Sequence, residues 1–458
     1  MTDHREEPAI DVHDWLREVA GHTFMQVTPL PLEQLPEWRE DRATGRFHHR
    51  SGKFFTVEGL DVRRPGGPVP TWSQPIINQP ETGVLGILLK RVGGMPYLLM
   101  QAKNEPGNPS GPQVSPTVQA TRSNYTRVHQ GLPVPYLEHF LDRRGRVLAD
   151  VRQSEQGAWF YRKRNRNIVV EVGPHIEAVE GFRWLSLREV YELLAVPDLV
   201  NMDARTVLAC LPVQAGAGGR EGFAADLARS RDPRAGARHG LGEILSWLSD
   251  IRSTVEIHTR PSRLDLLRGW RRAEGRISHE TGRFFDVIGV RVEACGREVA
   301  EWSQPMIAPV GTGLVAFLVR RIDGVLHALV HARVEPGYTD VVELAPTVQC
   351  TPGNYDHLPA AARPLLVDEV MAAPPHRIRY DTMLSEEGGR FYRARNRYVV
   401  VETDEDPLPG HPSFHWVALH QLDELLRHSY YLNVQARTLN ACLHSLTHAR
   451  EPVSAGAL

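Results

Sequence analysis

Cysteine is scarce in this 458-residue chain, and no apolar run is long enough to cross a bilayer. The four cysteines, Cys210, Cys295, Cys350 and Cys442, form no C-x-x-C pair, which argues against a zinc site and fits a reducing cytoplasm. The polar, acidic first residues do not have the pattern of a secretory signal. We therefore expect a cytoplasmic protein without a membrane partner.

The chain also lacks a large excess of charge of either sign. Its formal net charge is −2 at pH 7, so it has no electrostatic footprint for nucleic acid. The cations are almost all arginine, and the only lysines are Lys53, Lys90, Lys103 and Lys163. Arginine favours a phosphate-bearing ligand, because its planar fork grips phosphate oxygens in pairs. A GC-rich genome explains the same bias.

Several cofactor and catalytic motifs are missing. The sequence has no G-x-x-x-x-G-K-[ST] phosphate loop, no G-x-G-x-x-G after a strand, no H-E-x-x-H and no G-x-S-x-G elbow. The few lysines also argue against a pyridoxal Schiff base. We therefore expect no metal and no redox cofactor, as suits a lyase whose substrate carries its own electron sink.

What the chain does contain is an internal repeat, since residues 52–125 align with 282–355 without a gap. Each copy has the length of a whole domain. The repeat predicts a first domain at 11–213, a Gly-, Ala- and Arg-rich linker at 214–240, and a second domain at 241–448. The shared blocks are W-S-Q-P (72–75, 302–305), E-P-G (105–107, 335–337), P-T-V-Q (116–119, 346–349), N-Y (124–125, 354–355) and F-Y-R-x-R-N (160–165, 391–396).

Strands are predicted in the middle of each copy and helices at its ends. Residues 84–91 and 97–103 flank a Gly-Gly turn and predict a β-hairpin, and the second copy has Asp323-Gly324 at its turn. Ser186 and Glu189 form a capping box, which predicts the start of a helix. We therefore predict an α+β fold.

Aromatic and cationic residues supply the first candidates for a binding site. Trp72 and Trp302 are candidates for stacking on a nucleobase, or they are core residues beside a turn. Arginines alternate at 162, 164 and 166, and again at 393, 395 and 397, which indicates either a diphosphate clamp or a charged edge strand. Asn165 and Asn396 lie between them and could hold a turn or reach a ligand.

The P-T-V-Q and N-Y blocks supply neutral hydrogen-bonding groups suited to sugar hydroxyls or a carbonyl oxygen, although a structural turn explains them equally well. Tyr125 or Tyr355 is a candidate general acid. Glu343 has no carboxylate counterpart, because Gln113 replaces it, so it is either a general base or a surface residue. His129 is a weaker candidate base. Glu105 and Glu335 precede Pro-Gly and could simply shape that turn.

Together these blocks resemble the NDP-hexose 2,3-dehydratase family, over nearly the whole chain from Trp15 to Leu446. The resemblance implies two Nudix-like domains, a homodimer and a substrate of the dTDP-4-keto-6-deoxy-D-glucose type. It also implies one catalytic and one vestigial pocket, and an NAD(P)H-dependent 3-ketoreductase that acts next. The Nudix signature G-x5-E-x7-R-E-U-x-E-E-x-G-U is missing from both halves, which argues against pyrophosphate cleavage.

From this resemblance we expect water to be eliminated across C2 and C3 of the sugar. The lone carboxylate of Glu343 and the neutral donors Tyr355 and Gln349 make these three our candidate catalytic residues, in the second half. The residues expected to bind substrate are Trp72, Gln119, Asn124, Tyr125, Tyr161, Arg162, Arg164, Asn165, Trp302, Thr347, Asn354, Tyr392, Arg393, Arg395 and Asn396. The alternatives are a non-catalytic nucleotide-sugar binding protein and an atypical Nudix hydrolase.

Overall fold

The computed structural model describes residues 11–121, 133–212, 222–295 and 299–447. The first half contains helices α1 (Val12–His22), α2 (Leu137–Leu141), α3 (Leu187–Leu193) and α4 (Met202–Ala209). Its strands are β1 (Met25–Leu30), β2 (Trp38–Glu40), β3 (Phe47–His49), β4 (Thr56–Arg63), β5 (Thr71–Asn78), β6 (Gly83–Val92), β7 (Met95–Lys103), β8 (Gln113–Ser115), β9 (Val118–Ala120), β10 (Arg146–Ser154), β11 (Arg164–Glu171) and β12 (Phe182–Ser186).

The second half repeats this order after one additional helix. Its helices are α5 (Phe223–Ser230), α6 (Leu241–Thr254), α7 (Val367–Met371), α8 (Leu419–Leu425) and α9 (Val434–Leu446). Its strands are β13 (His258–Ser262), β14 (Trp270–Ala273), β15 (Arg276–His279), β16 (Phe285–Ala294), β17 (Glu301–Pro309), β18 (Gly313–Ile322), β19 (Val325–Val334), β20 (Val342–Ala345), β21 (Val348–Cys350), β22 (Ile378–Ser385), β23 (Arg395–Glu402) and β24 (Phe414–Ala418).

Each half has a large mixed sheet of the same topology. In the first half the order is β10-β11-β6-β7-β12, with β8 on β7 and β9 on β6, and β6 runs parallel to β11. In the second half the order is β22-β23-β18-β19-β24, with β20 on β19 and β21 on β18. Both predicted hairpins are confirmed, as is the capping box at Ser186. The α+β class is confirmed, whereas the Nudix-like character and the domain limits remain predictions.

The halves exchange a strand in their smaller sheets. Strand β13 of the second half pairs with β4 of the first, from His258 opposite Arg63. Strand β1 of the first half pairs with β16 of the second, from Met25 opposite Ala294. Each small sheet is therefore completed by the other half, and the two halves interlock.

One hydrophobic core also runs through both halves. Buried residues of α4 and α9, such as Leu208 and Leu443, belong to the same cluster. Arg205 and Arg437 are fully buried there, where charged groups need partners. Arg205 Nη2 donates to the Ser385 carbonyl at 2.5 Å, and Arg437 Nη2 donates to the Ser154 carbonyl at 2.6 Å. The guanidinium groups therefore tie each half to the backbone of the other.

The segment that the sequence assigned to the linker contains helix α5. Leu227 of this helix is fully buried, and Ser230 Oγ accepts a hydrogen bond from Leu326 N at 2.6 Å. Arg231 Nη1 binds Asp423 Oδ1 at 2.5 Å. Residues 223–231 therefore pack on the second half and are not a simple spacer. No helix in the described ranges is both long and apolar enough to cross a membrane.

Candidate active site

The E-P-G turn of each half meets the segment of the other half that carries F-Y-R-x-R-N. Gly107 N donates to Gly388 O at 2.7 Å, and Arg393 N donates to Gly107 O at 2.8 Å. The same pair of bonds joins Gly337 to Gly157 and Arg162, at 2.8 Å each. Two composite clusters result, which we name after the glutamate of each turn. The Glu105 site surrounds the contact of Gly107 with Gly388, and the Glu335 site surrounds the contact of Gly337 with Gly157.

These contacts explain why both turns contain glycine. A Cβ on Gly107 would overlap the Phe391 carbonyl oxygen, and one on Gly337 would overlap that of Phe160. Backbone atoms cannot swing aside as a flexible side chain does. The glycine of the E-P-G motif therefore serves first to let the backbones of the two halves approach closely.

Gly337→Ala should lower the free energy of unfolding by about 1–3 kcal/mol or more, the usual cost of overpacking. Chemical denaturation of the full chain measures this. Gly173→Ala is the matched control, because a Cβ at Gly173 would meet nothing within 4 Å. Equal stability of the two variants would contradict the close-approach explanation.

The Glu335 site brings two of the predicted catalytic residues, Gln349 and Tyr355, to one ion pair. Arg333 Nε lies 2.7 Å from Glu335 Oε1, and Arg333 Nη1 donates to Gln349 O at 2.9 Å. Gln349 Nε2 donates to Glu335 Oε1 at 3.3 Å. Burial raises the pKa of Tyr355, while the adjacent Arg333 opposes the rise. At neutral pH this tyrosine is a hydrogen-bond donor.

Glu343, the predicted base, lies on β20 and is fully buried. Ser154 Oγ of the first half donates to Glu343 Oε2 at 2.5 Å, and Oε1 has no hydrogen-bond partner among the described residues. Burial raises the pKa of Glu343 to about 7. Burial raises the pKa of Tyr338, and the nearby charges of Glu335 and Glu343 add to the rise.

Two other predicted ligands of the second half make bonds to the backbone instead. The Thr347 hydroxyl donates to Leu329 O at 2.5 Å and accepts from Leu318 N at 2.9 Å, so it bridges two strands inside the sheet. Asn354 Oδ1 accepts from Phe284 N at 3.0 Å. In this structure both side chains use these groups to hold the fold.

The Glu105 site is richer in ionisable groups. Lys103 Nζ lies 3.4 Å from Glu105 Oε1, which also accepts from Gln119 Nε2 at 3.0 Å. Glu387 approaches from the second half, and its carboxylate accepts from Gly389 N at 2.9 Å and from Arg390 N at 2.8 Å. The site therefore places carboxylates of both halves side by side.

Burial and like charge shift the pKa of these groups toward neutrality. Burial raises the pKa of Glu387 to about 7, and the neighbouring Glu105 adds to the rise. Burial, together with Glu155 and Glu387, raises the pKa of Asp203 well above its ordinary range. Burial lowers the pKa of Lys163 to about 8, although Glu155 opposes this fall. Groups whose pKa values are shifted toward 7 suit proton transfer at neutral pH.

The two sites differ at the aligned positions that carry these groups. Gln435 replaces Asp203, Gln156 replaces Glu387, Ala394 replaces Lys163, and Trp159 replaces Arg390. Sequence reasoning used only the Glu343/Gln113 difference and missed the other four. The signal was present, because two of the four lysines, Lys103 and Lys163, belong to this site.

The aromatic residues predicted to bind substrate in each half lie beside the site that contains the E-P-G turn of the other half. Trp72 and Tyr161 are half-buried and pack on the same small core cluster, and the Arg162 guanidinium lies 5.1 Å from the centre of the Tyr161 ring. Arg162 N binds Gly337 O, which places this group beside the Glu335 site. In the second half, the corresponding residues Trp302, Tyr392 and Arg393 lie beside the Glu105 site.

The alternating arginines do not form one row of three. Strand β11 begins at Arg164, whereas Arg162 has a φ of 51° and lies in the left-handed region. Arg166 makes a two-bond ion pair with Asp150, and Arg395 Nη2 lies 2.5 Å from Asp198 Oδ2. The left-handed residue breaks the strand alternation on which the clamp prediction depended.

The asparagines of this motif hold buried carboxylates. Asn165 Nδ2 donates to Glu155 Oε1 at 2.8 Å, and Asn396 Nδ2 donates to Glu386 Oε1 at 2.6 Å. Asn124, Tyr125 and His129 lie outside the described residues. Among the residues that are described, no three His, Cys, Asp or Glu side chains are grouped as metal ligands would be.

Comparison with known proteins matches this chain twice to one family. A family model described as NDP-hexose 2,3-dehydratase covers residues 9–211 and again 241–443. A dTDP-4-dehydro-6-deoxy-alpha-D-glucopyranose 2,3-dehydratase of Saccharopolyspora spinosa is 48% identical, over 96% of this chain and 92% of the relative. Enzymes with the same name from Amycolatopsis orientalis (46% identical, 95% and 90%) and Streptomyces violaceoruber (48%, 95% and 96%) are similarly close.

Proposed function

The chain belongs to the NDP-hexose 2,3-dehydratase family, and we propose that its substrate is dTDP-4-keto-6-deoxy-D-glucose. As a carbon–oxygen lyase, it would remove water across C2 and C3 of this sugar. The relatives' shared name and the match over both halves support this substrate. The product is a 3,4-diketo-2,6-dideoxy sugar nucleotide, as deoxysugar biosynthesis requires.

The reaction needs a base, an electron sink and an acid. The C4 ketone makes the C3 proton acidic, because the carbanion formed at C3 is an enolate. The electron pair then expels the C2 hydroxyl, which leaves as water once it takes a proton. The resulting C2=C3 enol tautomerises, with loss of the enol proton and protonation of C2, to the C3 ketone. A base near C3, donors around the C4 oxygen and an acid near C2 are therefore required. The elimination causes no net oxidation or reduction of the sugar.

We place this chemistry at the Glu105 site. The observation that carries the assignment is its set of ionisable residues with shifted pKa values, which the Glu335 site replaces with neutral ones. Glu387 is the proposed base. Lys163, protonated at neutral pH, is the proposed acid, and Lys103 with Gln119 would stabilise the C4 oxygen.

The Glu335 site is proposed to bind the nucleotide sugar without turning it over. Its groups, Arg333, Gln349 and Tyr355, are donors at neutral pH. Trp72 packs on the same cluster as Tyr161, whose neighbour Arg162 binds Gly337. The sequence-based assignment of catalysis to Glu343 remains the second candidate. Its pKa of about 7 favours it, although its side chain is fully buried.

Two Nudix-like domains and a homodimer remain predictions from the family resemblance, and a cytoplasmic location remains a prediction from the scarcity of cysteine. An NAD(P)H-dependent 3-ketoreductase is the proposed functional partner. The product's C2 protons lie next to the C3 ketone, and the nucleoside diphosphate at C1 is β to it. A second elimination would therefore destroy the product unless C3 is reduced promptly.

Incubation of the enzyme with substrate alone should release nucleoside diphosphate over time, because of this second elimination. Addition of NADPH and a 3-ketoreductase should suppress that release and give a 2,6-dideoxy nucleotide sugar, detected by mass spectrometry.

Release of nucleoside monophosphate would indicate a hydrolase instead, and binding without turnover would indicate a non-catalytic nucleotide-sugar binding protein. The same assay in EDTA tests the expectation that no metal is needed.

A further inference from the structure

A cleft of about 640 Å³ lies outside the two sites, between strand β10 of the first half and the segment after helix α8 of the second. Four arginines and a histidine surround a single carboxylate there. The lining residues are Leu141, Arg143, Asp150, Val151, Arg152, Arg166, Arg427, His428 and Ser429. We propose that this cleft is a separate site for a diphosphate-bearing anion.

Among the described residues, Arg152 is the one arginine of the cleft without a carboxylate partner, while Arg427 Nη1 lies 3.1 Å from Glu424 Oε2. Asp150 accepts two hydrogen bonds from Arg166, each 2.7 Å long, and lies 3.5 Å from Arg143. Arg152 has no hydrogen bond or ion pair among the described residues. It stands directly opposite Arg166 in the β10–β11 register. Like charges in such a cross-strand pair destabilise a sheet, and a bound anion would relieve the repulsion.

The equivalent place on the other side of the molecule has fewer of these cations. Met383 stands there in the position of Arg152, and Ala195 and Val196 stand where the cleft has its second-half arginine and histidine. The aspartate–arginine ion pair of the cleft recurs there as well. The fold therefore forms this interface with apolar residues, and the extra charges of the cleft are not needed for packing.

The geometry suits a diphosphate better than a single carboxylate. Guanidinium forks bind phosphate oxygens in pairs, and Arg152 and Arg427 approach from different halves. The volume lies within the range of small-molecule sites. Leu141, 46% exposed, offers an apolar contact for a group attached to the phosphates. Inorganic diphosphate and a nucleoside diphosphate share this chemistry.

Calorimetric titration of the full chain with inorganic diphosphate, then with dTDP, tests the proposal at low ionic strength. Arg152→Met, which copies the other half, should weaken diphosphate binding to the cleft about ten- to a hundredfold, the usual effect of losing a charged hydrogen-bond donor. The control is Arg188→Ala, an exposed arginine paired with Glu192 on helix α3, which should bind as the unaltered chain does.

The two ligands distinguish the source of the phosphates, since tighter binding of dTDP that Arg152→Met also weakens identifies a nucleoside diphosphate. The kcat and KM for dehydration should stay unchanged in Arg152→Met, which separates this result from the fate of the proposed reaction. Identical diphosphate binding by Arg152→Met and Arg188→Ala would overturn the proposal. A raised KM in Arg152→Met would also overturn it, because the cleft would then belong to the substrate site.

Discussion

Glu387→Gln should lower the kcat of dehydration by about two to four powers of ten, the range expected when a general base is lost. Glutamine keeps the size of the side chain and its acceptor oxygen, but it does not take the C3 proton. Binding of a non-reactive dTDP analogue should change little, because Glu387 is proposed to act on the sugar C3 proton and not on the nucleotide. Steady-state kinetics and titration of the same preparation measure both quantities.

The pH profile sharpens this test. Burial and Glu105 raise the pKa of Glu387 from 4.5 to about 7, so the fraction of ionised base falls tenfold per pH unit below that value. We therefore expect kcat/KM to fall on the acid side of pH 7 and, because Lys163 loses its proton near pH 8, on the alkaline side too. The acid limb should vanish in Glu387→Gln.

Glu343→Gln is the matched control, since it makes the same change at a buried carboxyl of similar pKa. It should retain most of the turnover. If Glu343→Gln instead abolishes turnover and Glu387→Gln does not, Glu343 is the catalytic base, as the sequence alone suggested.

Cutting the chain between its halves should give two pieces that fold only together. Residues 1–217 alone leave β4 without β13, and they expose a core face that helix α9 covers in the whole chain. The buried Arg205 would also lose the Ser385 carbonyl that its guanidinium binds. We expect neither piece alone to give a cooperative thermal transition, and the two produced together to co-purify and to dehydrate the substrate.

Circular dichroism during heating measures this, and the uncut chain is the reference. A sharp transition in either piece by itself would show that strand exchange and the shared core are dispensable. If the two pieces fold separately and recover activity when they are mixed, strand exchange and the shared core are likewise not needed for folding.

Local features of the fold were predictable, because short-range chemistry determines them. Asp323-Gly324 demands a tight turn, and Ser186 with Glu189 satisfies the first N–H groups of a helix. Strand exchange was not predictable, since β1 and β13 pair with strands from the other copy that are distant in sequence. Helix α5 was missed because a composition rich in Gly, Ala and Arg concealed the buried Leu227.

For the candidate site, the repeat identified the equivalent blocks but not the residues that pack against them. Gln349 and Tyr355 do meet, at Arg333 and Glu335. A repeat shows which positions are equivalent, but it does not show that Glu387 faces Glu105 of the other copy. Glu343 stood out because its counterpart is neutral, and the same comparison would have singled out Glu387, whose counterpart is Gln156.

The contact between an E-P-G turn and its opposite segment occurs twice in one polypeptide. In a symmetric pair of identical subunits, any substitution appears in both copies of an isologous interface. Fusion of the copies removes this constraint, because Glu387 and Gln156 are encoded separately although they occupy equivalent places. One contact can then acquire an acid or a base while its twin keeps a neutral amide. The tandem arrangement thus lets a two-fold scaffold specialise its sites, with their ratio fixed at one to one.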